Sequence, residues 1–151
     1  MPDVTRRDVL GFAAGGAVML SVRPAAATPE DMREAIKKIV GGAKVTPGRM
    51  QLSVPPLSEN GNTVPCTVTV ETAMTPQDHV KAIHIFNEKN PQPNVISIHL
   101  GPRAGKASVT TRIRLSETQT VTAIAQMSDG SFRTHSANVI VTQGACLEDT
   151  P

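Results

Sequence analysis

The sequence predicts an all-β sandwich of about seven short strands behind one short helix. Three observations carry that expectation. Apolar side chains alternate with polar ones at Val64, Cys66, Val68 and Val70, and Val109, Thr111, Ile113 and Leu115 repeat the two-residue period. Turn residues punctuate these runs at regular intervals: Asn60-Gly61-Asn62, Asn90-Pro91, Gly101-Pro102 and Asp129-Gly130. Helical periodicity does not recur after residue 42. Short strands at this spacing fit an immunoglobulin-like sandwich.

The chain opens on a targeting pattern at 1–27. Arg6-Arg7 follows Thr5, an apolar run covers 9–22, and Ala25-Ala26-Ala27 supplies the small residues of a cleavage site. The run is shorter than the roughly 20 residues a membrane-spanning helix needs. The arginine pair points to the twin-arginine export route, which moves folded proteins, and so to the periplasm; an ordinary secretory signal is the alternative. After cleavage no membrane segment is expected, and residues 28–151 have the length of one domain.

In the 28–142 domain, Thr28-Pro29-Glu30-Asp31 reads as a helix start: a hydroxyl cap, a proline at the first position, and two acids at the positive helix end. Met32, Ala35, Ile36, Ile39 and Val40 form one apolar stripe before Gly41-Gly42 stops the helix. Strands follow at about 50–54, 64–71, 80–86, 95–100, 108–115, 120–127 and 136–142. The last segment, 143–151, is expected to be a mobile arm. Gly144 and Ala145 leave its backbone unhindered just before Cys146.

Composition excludes several classes. A formal charge of +2 gives no basic face for nucleic acid. Phe86 and Phe132 are the only aromatic residues after the signal, so no stacking platform for bases is present. His79, His84, His99 and His135 match no metal-ligand spacing, and neither a metal nor a cofactor is expected. Arg103, Lys106, Arg112, Arg114 and Arg133 are candidates for an anion-attracting patch or, more simply, for solvent-facing strand positions.

The two cysteines have different settings. Cys66 is in phase with the core positions of its strand and reads as an inert buried thiol. Cys146 follows the last strand, with Glu148 and Asp149 nearby to raise its pKa. A Cys66–Cys146 disulfide is the competing reading for an oxidising compartment. A reachable tail thiol suits a carrier, which holds a sulfur species through a disulfide or persulfide bond and presents it to several enzymes. No base or oxyanion site is apparent around Cys146, so catalysis by this chain alone is not expected.

Several stretches taken together carry a family resemblance. They are Val45-Thr46-Pro47-Gly48-Arg49, Glu59-Asn60-Gly61-Asn62-Thr63-Val64-Pro65, and His84-Ile85-Phe86 with Glu88-Lys89-Asn90-Pro91. To these are added Arg112-Ile113-Arg114-Leu115, Gln119-Thr120-Val121 and Met127-Ser128-Asp129-Gly130-Ser131. With the twin-arginine start, this set resembles the SoxY family of bacterial thiosulfate oxidation over nearly the whole chain. The resemblance implies an immunoglobulin-like fold and a heterodimer with a SoxZ-like subunit. It also implies a cysteine on a swinging arm of the form Gly-Gly-Cys-Gly-Gly. A haem enzyme would attach thiosulfate there, hydrolysis would release sulfate, and further enzymes would visit the remaining sulfur. By position, Cys146 is the sulfur-bearing residue and Gly144-Ala145 opens the arm.

This chain departs from that form in having Ala145 before the cysteine and Leu147-Glu148-Asp149-Thr150-Pro151 after it. The departure keeps a second class open, a non-covalent periplasmic binding or scaffold module with a vestigial arm. A disulfide-linked dimer through Cys146 is a third.

Overall fold

The computed structural model describes residues 27–145; the segment 1–26 and the tail 146–151 lie outside the described residues. Helix α1 spans Pro29–Val40. The Asp31 amide donates to the Thr28 hydroxyl at 3.3 Å, and the Thr28 amide donates to the Asp31 carboxylate at 2.7 Å. This reciprocal pair satisfies two free amides at the helix start. The Thr28 amide and hydroxyl, both donating to the Asp31 carboxylate, hold that carboxyl below the usual carboxylate range. Among the described residues no helix is long and apolar enough to cross a membrane.

Among the described residues nine strands follow: β1 Val45–Pro47, β2 Met50–Ser53, β3 Leu57–Ser58, β4 Val64–Val70, β5 Val80–Asn87, β6 Asn94–His99, β7 Ser108–Ile113, β8 Gln119–Met127 and β9 Phe132–Val141. The larger sheet runs β1-β9-β8-β5-β6 with β3 also on β9, and the smaller runs β2-β4-β7. The expected sandwich is present, and the seven expected strands correspond to β2 and β4 to β9.

To the seven expected strands the described residues add β1 and β3. Both are very short and pair parallel to β9, Val45 with Phe132 and Leu57 with Ile140. Strands this short have no period of their own to show. They exist because β9 offers backbone groups on that side. Strand β9 also begins four residues before its expected start, where Phe132 pairs with both Val45 and Gln126.

Between the sheets, Ile83, Ile85, Val121, Ala123, Ala125 and Val139 pack against Leu52, Val64, Cys66, Val68, Val70 and Ile113. On the outer face of the larger sheet, Met32 and Val40 of α1 cover Phe86, Ile124 and Phe132. Strands β5 and β8 are therefore buried on both faces. That explains why their sequences read as apolar runs and lack the alternation of β4.

Candidate functional site

Pairing places four connections at one end of the sandwich. The start of β4 lies beside the end of β7, the start of β8 beside the ends of β5 and β9. The turns at 60–62 and 114–118, the loop after Asn87 and the exit from β9 consequently meet there.

The exit from β9 is seated on the fold. The Gly61 amide donates to the Gln143 carbonyl at 2.7 Å, the Leu115 amide to the Gly61 carbonyl at 2.8 Å, and the Ala145 amide to the Leu115 carbonyl at 2.9 Å. Just before them, the Val141 amide donates to the Thr118 hydroxyl and the Thr142 amide to the Ser58 carbonyl. Two glycines permit this closeness. A Cβ on Gly144 would overlap the Ser116 carbonyl oxygen and lie 2.9 Å from its carbon. A Cβ on Gly61 would overlap the Leu115 carbonyl oxygen and lie 2.8 Å from the Ala145 nitrogen. Close approach is what the structure asks of Gly144, and Ala145 is buried against the same turn. Cys146, the next residue, lies outside the described residues.

Beneath the 114–118 turn is a buried amide pair. Asn90 Oδ1 accepts from the Ser116 amide at 3.2 Å, the Ser116 hydroxyl at 3.2 Å and Gln119 Nε2 at 2.9 Å. Asn90 Nδ2 donates to the Arg114 carbonyl at 2.8 Å, and the Lys89 amide donates to Gln119 Oε1 at 2.9 Å. Gln119 is 2% exposed and Asn90 8%. Lys89 and Glu117 close the rim as an exposed ion pair at 3.3 Å. Asn87, fully buried at this end, has no partner for its side-chain Nδ2 and Oδ1 among the described residues. The sequence placed Asn90 in a turn and both Asn90 and Gln119 in the stretches that carry the family resemblance, without linking the two side chains. The available signal was a polar residue in the core-facing phase of Gln119, Val121, Ala123 and Ala125.

Cys66 is a free thiol with no exposed surface, as its phase predicts. Burial pushes its pKa up to about 11. The folded protein is therefore expected to leave Cys66 unalkylated at neutral pH, while denaturant exposes it; peptide mass mapping reads both. The sign of the alkaline dependence follows from the unfolded thiol ionising first. Stability from the protonated buried thiol is complete below about pH 8.5 and is lost as pH rises through the folded value. Cys66→Ala should flatten that limb in a urea titration series.

Two of the histidines, His84 and His99, are neighbours with ring centroids 6.3 Å apart, and the four do not gather. His135 Nδ1 accepts the Leu52 amide at 2.8 Å, tying β9 to the smaller sheet. His79 Nδ1 lies 3.0 Å from the Thr75 carbonyl. His84 Nδ1 is 2.7 Å from the Ser97 hydroxyl, and its pKa is lowered by burial and then by the neighbouring His99. Among the described residues no three His, Cys, Asp or Glu side chains gather as a metal site. Of the candidate basic patch, Arg112 is on β7 and Arg103, Lys106 and Arg114 flank it, whereas Arg133 is on β9 of the other sheet. The structure does not assemble all five.

The family model for "Sulfur oxidation protein SoxY" matches residues 36–146. The chain belongs to the SoxY family. Among solved structures, the sulfur carrier protein SoxY from Chlorobium limicola f thiosulfatophilum is 28% identical, with a TM-score of 0.63 over 75% of this chain and 97% of that one. Two superoxide reductases share the fold alone. The neelaredoxin of Ignicoccus hospitalis is 15% identical, with a TM-score of 0.55 over 78% of this chain and 95% of its own. The superoxide reductase from Nanoarchaeum equitans is 10% identical, with a TM-score of 0.51 over 64% of this chain and 98% of its own. No curated protein sequence matches significantly. The SoxY match ends on Cys146, the residue that follows the seated Gln143-Gly144-Ala145 segment.

Proposed function

We propose that this SoxY-family chain is a periplasmic sulfur carrier that holds thiosulfate-derived groups covalently on Cys146. The observation that carries the reading is the family match, which runs through the whole sandwich and reaches that cysteine. The likeness to a sulfur carrier protein of known structure supports it. The chain is not itself an enzyme in this reading; it acts with separate sulfur-oxidising enzymes and pairs with a SoxZ-like subunit. The twin-arginine segment exports it, with cleavage after Ala27.

The chemistry follows from the thiol. A disulfide bond forms between Cys146 Sγ and the outer sulfur of thiosulfate. The thiol proton goes to solvent and the electron pair to the loading haem enzyme. Water then attacks the sulfonate sulfur, sulfate leaves, and a persulfide stays on Cys146. Cys66, sealed in the core, does not compete.

The test is intact-protein mass spectrometry after incubation with thiosulfate and the cognate loading enzymes. Wild type should gain the thiosulfate-derived mass on the peptide containing Cys146, and Cys146→Ser should gain none. An unloaded wild type would instead favour the non-covalent module, the reading that Leu147, Glu148 and Asp149 keep open.

A further inference from the structure

The buried amides at the arm's root do more than fill a loop. A polar pair in an otherwise apolar interior is costly unless every group is bonded. Here nearly all of that bonding is spent on one turn. Asn90 alone engages the Arg114 carbonyl, the Ser116 amide and hydroxyl, and Gln119. Gln119 completes the set by bonding the Lys89 amide and the Glu117 carbonyl. The opposite side of the same turn receives the chain's exit: Leu115 accepts the Ala145 amide, and Ser116 faces Gly144 at a distance no side chain permits.

The geometry points to Asn90 and Gln119 as positioning residues for the sulfur-bearing arm, fixing through the 114–117 turn the point from which Cys146 leaves the sandwich. This rests on Cys146 being the carrier residue. A chain fixed at Ala145 places the next Cα about 3.8 Å away whatever its direction. The arm then departs from a fixed point, Ala145, beside the Asn90–Ser116 turn. A tether loose from the last strand onward would spread the thiol over a larger volume and lower its effective concentration at a docked enzyme. Neither amide touches the cargo; both act through backbone.

The test uses a nitroxide on Cys146 of the full mature chain, since buried Cys66 is not labelled. Wild type should give a slow, ordered spectrum. Asn90→Ala should shift it to the fast regime, and Ser116→Ala, which removes only hydroxyl bonds, should shift it partly. Asn90→Asp retains the acceptor for Ser116 and Gln119 but sets an oxygen against the Arg114 carbonyl, and should restore the slow component only in part. In loading assays Asn90→Ala should raise the enzyme's KM for the carrier about tenfold with little change in kcat.

A merely structural role would lower thermal stability and leave the label's motion in the folded protein unchanged. Equal mobility in wild type and Asn90→Ala overturns the proposal, as does altered mobility with unaltered KM. Failure of wild type to load, with the spectra as expected, overturns only the cargo assignment. The ordering of the root by the amide pair then stands on the spectra.

Discussion

Replacing Gly61 by alanine is expected to destabilise the domain by about 3 kcal/mol and to unseat the chain's exit. The added Cβ would overlap the Leu115 carbonyl oxygen and stand 3.0 Å from the Gln143 oxygen and 2.8 Å from the Ala145 nitrogen. All three are backbone atoms, so no side chain can rotate away. Gly61 also donates to Gln143 and accepts from Leu115, so a shift that relieves the overlap lengthens those bonds. The gain from a less flexible unfolded chain, about 0.4–1 kcal/mol, has the opposite sign and is too small to offset this. Thermal unfolding should show a midpoint about 10 °C lower. Hydrogen exchange should show the Ala145 amide losing protection at temperatures where the amides of β4 and β8 keep theirs. An unchanged midpoint would mean that the turn at 60–62 moves freely away from the exit, contrary to the bonding described.

The fold was legible where a single face of an element is buried. Thr28 to Gly41 declared a helix with its cap and stop, and the alternation at Val64 to Val70 declared a strand with its core side, Cys66 included. Legibility failed where tertiary pairing decides. β1 and β3 owe their existence to β9, and their proline-flanked residues show no period that reveals a parallel partner 80 or so positions away.

The site was legible in part. The position of Cys146 after the last strand came from order along the chain, but the seating of Gln143-Gly144-Ala145 depends on contacts between segments far apart in sequence. Gly144 illustrates the difference. Its lack of a side chain reads as freedom in isolation, while in the structure it lets the chain lie against Ser116. Asn90 and Gln119 were hidden for a related reason: a turn residue and a strand residue become a network only when Asn90 Oδ1 meets three donors at once.

Phe86→Ala is expected to have the largest effect on stability and a much smaller one on loading. Phe86 is fully buried on the outer face of β5, where it meets α1 in a small cluster with Met32, Val40, Ile124 and Phe132. Truncating a buried phenylalanine costs about 3–5 kcal/mol, through lost transfer free energy and the cavity left behind. The loss should concentrate in α1. A helix of 12 residues is marginal alone, and this one is held by its apolar stripe over that cluster. Circular dichroism and hydrogen exchange should therefore show α1 losing protection before the sheets. The inter-sheet core of Ile83, Ile85 and Val121 is on the other face of the same strands and should unfold later. Because that cluster is built from α1, β5, β8 and β9 while the 143–145 segment hangs on the turns at 60–62 and 114–117, folded Phe86→Ala protein should, on the proposed carrier reading, load at the wild-type rate. Gly61→Ala strains the seat itself, so its loading should fall even at temperatures where it is fully folded. Opposite rankings of the two variants in stability and in loading would separate what holds the sandwich together from what, on the proposed reading, presents the thiol.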